Sequence, residues 1–90
     1  MSKKLSSAAT RLLKQMGSAT EVFMDEGRLT YWHHCTFDSS DSRLPAAREL
    51  EVLGYVWSDG PYDFFLSDKG FSFLRRRGFT SWRSWDVFIN

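Results

Sequence analysis

The stretch from Gly54 to Gly70, GYVWSDGPYDFFLSDKG, leaves the chain few ways to fold. A run with helical apolar spacing stops at Gly54, because glycine accepts the positive φ that closes a helix and other residues resist it. Ser58, Asp59, Gly60 and Pro61 are consecutive turn formers, so the aromatic and branched residues on either side read as two short strands of a hairpin. Ser67 then offers an oxygen to the first N–H groups of a new helix, with Phe71 and Leu74 facing inward and Gly78 as its stop. Arg75, Arg76 and Arg77 fill its last turn, where cations suit the helix dipole. A helix end, a tight hairpin and a helix start thus follow one another without a linker.

The upstream half adds two elements. Leu5, Ala8, Ala9, Leu12, Leu13 and Met16 recur at helical spacing behind a capping Ser6 or Ser7, and Gly17 is the expected stop. EVFMDEGRLTYWHHC predicts a hairpin turning at Asp25, Glu26 and Gly27, with Leu29, Tyr31, His33 and Cys35 on one face and Thr30, Trp32 and His34 on the other. A second long helix is expected to start near Asp41 or Ser42, with Pro45 in its first turn and Gly54 at its end. Its inward stripe is Ala46, Ala47, Leu50 and Leu53, while Arg48, Glu49 and Val52 point elsewhere. In the aromatic tail, residues 79–90, Trp82, Trp85 and Phe88 or Ile89 suit a helix while Trp85, Val87 and Ile89 suit a strand, and a short strand or extended segment packed on the body is the expectation. The expected fold class is α+β: one domain over residues 1–90, about three helices and two small antiparallel hairpins.

At 42% hydrophobic and 17% aromatic, a chain of this length can close one small core without disulfides or metal. Cys35 is the single cysteine, which excludes an internal disulfide and fits a reducing compartment. No apolar run reaches the roughly 18 residues of a membrane span, and the basic N-terminus lacks the apolar stretch and cleavage site of a signal peptide, so a cytoplasmic protein without a membrane partner is expected. The net charge of +1 conceals a division: residues 1–34 carry five basic and three acidic side chains, residues 35–68 two and seven, and residues 69–90 five and one. The middle is acidic and the ends are basic, which decides which face can approach a polyanion.

From Arg43 to Leu74 the chain resembles the second half of winged helix-turn-helix regulators of the MarR and ArsR kind. The matching pieces are Leu50, Leu53, Gly54, Tyr55 and Val56 at the end of a recognition helix, and Leu66, Ser67, Lys69 and Gly70 at the start of the closing helix. The resemblance implies a winged-helix fold and a DNA-binding transcriptional regulator, with pairing into a homodimer open. The sequence departs from that family by leaving scarcely any room for the helix that normally precedes the recognition helix.

On that resemblance the candidate DNA contacts are Ser42, Arg43 and Arg48 toward the bases and Arg75, Arg76 and Arg77 toward phosphates. Against them stand Asp38, Asp41, Glu49 and Glu51 on the same element and Asp59 and Asp63 on the wing, which weaken attraction to phosphate. The alternative is a protein-binding winged helix, an adaptor or inhibitor of the kind phages and mobile elements encode to act on a host protein. Its expected contacts are Trp82, Arg83 and Trp85. With eight Phe, four Trp and three Tyr, some rings among Trp32, Trp57, Phe64, Trp82 and Trp85 are expected at the surface, the composition of an interface centre. His33, His34 and Cys35 suggest metal, but strand neighbours diverge, so at most His33 and Cys35 converge and no metal or cofactor is expected. No nucleophile elbow, phosphate loop or carboxylate pair beside a histidine is present, so no enzyme is expected.

Overall fold

The computed structural model describes residues 4–33 and 35–83. These form α1 (Ser7–Ala19), β1 (Glu21–Asp25), β2 (Arg28–Trp32), β3 (Cys35–Thr36), α2 (Leu44–Val52), β4 (Val56–Ser58), β5 (Asp63–Leu66) and α3 (Asp68–Arg76). Among the described residues there are three helices and two small antiparallel sheets, an α+β arrangement compatible with a winged-helix-like domain. None of the helices is long and apolar enough to cross a membrane.

Ser6 caps α1 by accepting the N–H of Ala9 at 3.1 Å. Gly17 does not stop this helix, which runs on to Ala19; it is buried instead, with Leu74 and the Phe79 ring so close that a Cβ would lie 2.8 and 2.9 Å from them. Thr20 is the true C-cap, and its hydroxyl donates to the Met16 carbonyl at 2.8 Å. The next turn, Glu26 and Gly27, has positive φ at both residues (52° and 80°), the geometry that matches strand twist in a two-residue hairpin. β1 and β2 pair from Glu21↔Trp32 to Asp25↔Arg28, leaving Glu21, Phe23, Thr30 and Trp32 on one face.

The strand expected to run from Leu29 through Cys35 divides in two. β2 ends at Trp32, His33 is buried, and β3 joins the wing as the outer strand of the sheet β3-β5-β4. Between β3 and α2 the backbone makes turns, with Asp41 N–H on the Asp38 carbonyl (3.0 Å) and Leu44 N–H on that of Asp41 (3.2 Å). No helix precedes α2 there, as the short spacing predicts. α2 also starts later than its capping residues suggest, at Leu44, with Arg43 as N-cap and no side chain on the cap.

The stretch around Gly54 explains itself in bonds. Gly54 takes φ 85°, its N–H reaches the Glu51 carbonyl (3.0 Å), and Tyr55 N–H reaches back to Leu50 (2.9 Å), a Schellman closure of α2. Three residues of the following motif then grip that closure. Ser67 donates its hydroxyl to the Gly54 carbonyl (2.6 Å) while accepting the Gly70 N–H (3.1 Å), and Lys69 donates to the Leu53 carbonyl (2.7 Å). Gly70 presses directly on the Tyr55 carbonyl. The end of one helix thereby fixes the start of the next, with the wing looped out between them.

The core is drawn from every layer: Leu12, Leu13 and Met16 of α1, Ala47 and Leu50 of α2, Val56, Phe64 and Leu66 of the wing, Phe71 and Leu74 of α3, with Val22, Phe37 and Trp82. Phe64 and Trp82, both among the rings expected to supply surface, are 0% and 3% exposed. Trp82 packs on Phe71 and Phe79 and donates its indole N–H to the Phe79 carbonyl at 3.1 Å. Where the tail is described, Arg83 forms a parallel bridge to Glu21 with bonds to Thr20 and Val22.

Candidate functional site

α2 is the element that the resemblance would make a DNA-reading helix, and the structure pairs the arginines at its start and on its exposed side with neighbouring groups. Arg43 donates to both oxygens of Asp41 (2.8 and 3.1 Å), lies 4.8 Å over the Phe37 ring and reaches Gln15. Asp41 also accepts the Arg43 backbone N–H, at 2.8 Å. These hydrogen bonds from Arg43 hold the Asp41 carboxyl down at about 2. Arg48 donates to the Pro61 carbonyl (2.7 Å) and to Glu51 (3.4 Å) and lies over Phe64, clamping α2 to the wing turn. Glu51 in turn accepts from Ser58. Glu49 accepts the backbone N–H and hydroxyl of Ser6 at 2.9 and 2.7 Å, so it anchors α2 to the start of α1, and those bonds lower its carboxyl. Ser42 is exposed, and Val52 is the most exposed large apolar side chain among the described residues, at 81%.

Exposed ion pairs of this kind are weak and screened by salt, so they do not lock the arginines away. The carboxylates beside them matter more, because they stay next to any phosphate that Arg43 or Arg48 would reach.

The wing presents a different chemistry. Val56, Phe64 and Leu66 point into the core, and the alternation puts Trp57 and Phe65 outside, where they are directly paired across β4 and β5. Their rings stack at 4.2 Å and 12°, and Trp57 is 51% exposed. Asp63, bonded to Thr36 at 2.6 Å, and exposed Asp59 give this aromatic face an acidic border. Exposed Phe23 and Trp32 share the outer face of the first hairpin.

The arginines at the end of α3 stand apart from α2. Arg75 lies 5.6 Å over Phe71 and Arg77 4.3 Å over Phe73, while Arg76 is exposed. Arg77 lines a groove with Lys4 and Lys14, whereas Arg48 lines a neighbouring one with Pro45 and Val52; Lys4 borders both. Of the residues expected to meet a protein, Trp82 is in the core and cannot be a contact, Arg83 is exposed, and Trp85 lies outside the described residues. Of the rings expected at the surface, Trp32 and Trp57 are exposed. Sequence reasoning missed the groove itself: two basic ends were visible in the charge distribution, but only the packing of α1 against α3 places Lys4 and Lys14 near Arg77.

Among the described residues no group of three His, Cys, Asp or Glu side chains is placed to hold a metal ion. Burial raises the Cys35 thiol above its usual range. The chain matches no protein-family model, no curated protein and no solved structure.

The charge network predicts a pH window. Asp41 and Glu49 are lowered in the folded state, so their contribution is present above their unfolded values near 4 and is lost as pH falls toward 2. The melting midpoint should therefore drop between pH 5 and pH 2, and Asp41→Asn should lower it at pH 7 while flattening that drop. Tyr31 works in the opposite sense. Burial, and then its 2.5 Å hydrogen bond to Asp68, raises its hydroxyl, so that support is lost only as pH climbs above about 10.

Proposed function

We propose that this chain is a cytoplasmic, non-enzymatic winged-helix module that binds another protein through the solvent face of its wing. One observation carries the reading: Trp57 stacked on Phe65 in the open, bordered by Asp59 and Asp63. A rigid aromatic pair is the kind of anchor that dominates protein interfaces, and an acidic rim selects a partner with Lys or Arg around an apolar pocket. The same border repels nucleic acid. An adaptor or inhibitor role fits a module whose described residues present an exposed aromatic pair with an acidic border.

Panning a displayed random-peptide library against the protein tests this. Enriched peptides should pair an apolar anchor with Lys or Arg, and Trp57→Ala should weaken them at least tenfold, the loss of a modest hot spot. Peptides that bind Trp57→Ala equally well would refute it.

DNA recognition by a transcriptional regulator is the second reading, supported by the Arg48 clamp that sets α2 beside the wing. It requires a mobility shift with random duplex DNA at low salt. Changing Arg43 or Arg48 should then alter sequence preference, and changing Arg75, Arg76 and Arg77 should weaken all sequences and flatten the salt slope. No shift at tens of micromolar removes it.

A further inference from the structure

On the side of the molecule built by α1 and α3 lies a groove of about 940 Å³. Leu5, Thr10, Leu13 and Lys14 form one wall, Phe73, Leu74 and Arg77 the other, and Tyr55 and Phe79 complete the lining. Its floor is firm, since Leu13 and Leu74 are 0% and 2% exposed. Leu5, Tyr55, Phe73 and Phe79 are only partly buried, so apolar surface remains open to an occupant. Among the described residues Lys4, Lys14 and Arg77 supply the charged lining, with no carboxylate beside them.

We propose that this groove is a docking site for an acidic amphipathic helix belonging to a protein partner. The charge that the described residues place on its walls has one sign, which selects a negatively charged occupant and repels a basic one. The apolar floor decides what kind of anion fits, because duplex phosphates gain nothing from Leu5, Phe73 and Phe79, whereas a helix can place leucines there and turn its glutamates to the rim. The α1 part of the wall, Thr10 to Lys14, is about 6 Å long at 1.5 Å per residue, so it faces about one turn of a docked helix. Two contacts prepare the site. Arg77 already lies over Phe73 at 4.3 Å, and Lys69 lies over Tyr55 at 4.7 Å while bonded to the Leu53 carbonyl. The close approach at Gly17 braces α1 against Leu74 and Phe79 at the far end of the same pair of walls.

This site is separate from the aromatic wing, and either can fail alone. The probe is a fluorescein-labelled synthetic peptide of about 14 residues with leucines at i, i+3, i+4 and i+7 and glutamates on the flanks, compared by anisotropy with a peptide of identical composition in scrambled phase. The phased peptide should bind at least tenfold more tightly than the scrambled one. Lys14→Glu with Arg77→Glu should abolish that preference, while Trp57→Ala leaves it unchanged. Both charge reversals are on exposed side chains, and an unaltered melting midpoint checks the fold. Equal affinity for the two peptides, full binding by the double variant, or complete displacement by an equimolar amount of random duplex DNA would each overturn the proposal.

Discussion

Gly70→Ala is expected to cost the fold about 3 kcal/mol, at the upper end of overpacking penalties and a large part of the roughly 5–15 kcal/mol that holds a small domain together. The added Cβ would lie 2.1 Å from the Tyr55 carbonyl oxygen, far inside contact distance. That oxygen is backbone and cannot rotate aside, because it also accepts the Ser67 N–H at 3.1 Å just before α3 begins. Alanine gains about 0.5–1 kcal/mol over glycine inside a helix, too little to offset the clash. Gly17→Ala is the informative comparison. Its Cβ would meet the ends of side chains, Leu74 and Phe79, which can yield by a few tenths of an ångström. Urea titrations should show the midpoint falling much further for Gly70→Ala than for Gly17→Ala, with similar slopes. A wild-type midpoint for Gly70→Ala would mean that α3 does not sit on the end of α2.

Phe64→Ala should be the costliest single truncation, at about 3–5 kcal/mol. Phe64 is fully buried in the central strand of the wing sheet, opposite Ser58 on one side and Cys35 on the other. Phe37 tilts against its ring at 5.7 Å, and the Arg48 guanidinium covers it at 5.4 Å. Removing the ring opens a cavity that faces three elements at once, so no single side chain can collapse into it. Trp57→Ala, one residue from Ser58 on the opposite face, should cost about 1 kcal/mol, the scale of a stacked cross-strand pair. Measured side by side, the two variants separate the face that holds the wing together from the face it presents. Equal losses would contradict the alternation of β4 and β5.

What could be read from the sequence was local chemistry. Gly54, the turn at Ser58–Pro61, and Ser67 each act on backbone groups within a few positions, so their roles follow from residue type and order. The capped start of α1 and the first hairpin turn were legible for the same reason. Errors arose where a residue's role is set by something distant in the chain. Gly17 looks like a stop until Leu74 and Phe79 are packed on it, and Trp82 looks like an exposed anchor until Phe71 is beneath it. β3 is too short to declare itself and exists because β5 offers it an edge. The candidate contacts show the same limit. Arg43 and Arg48 were visible as charges, but their bonds to Asp41 and Pro61 depend on how the turns before α2 and on the wing fold back.

The parallel bridge between Arg83 and Glu21 has a consequence for synthesis. Strand β1 is made early, yet the Thr20 carbonyl just before it and the Val22 N–H within it meet their partner only when residue 83 arrives. The indole that fills the core beside Phe71 is translated immediately before it. A nascent chain therefore cannot finish its packing while residues 82 and 83 remain within the ribosomal tunnel.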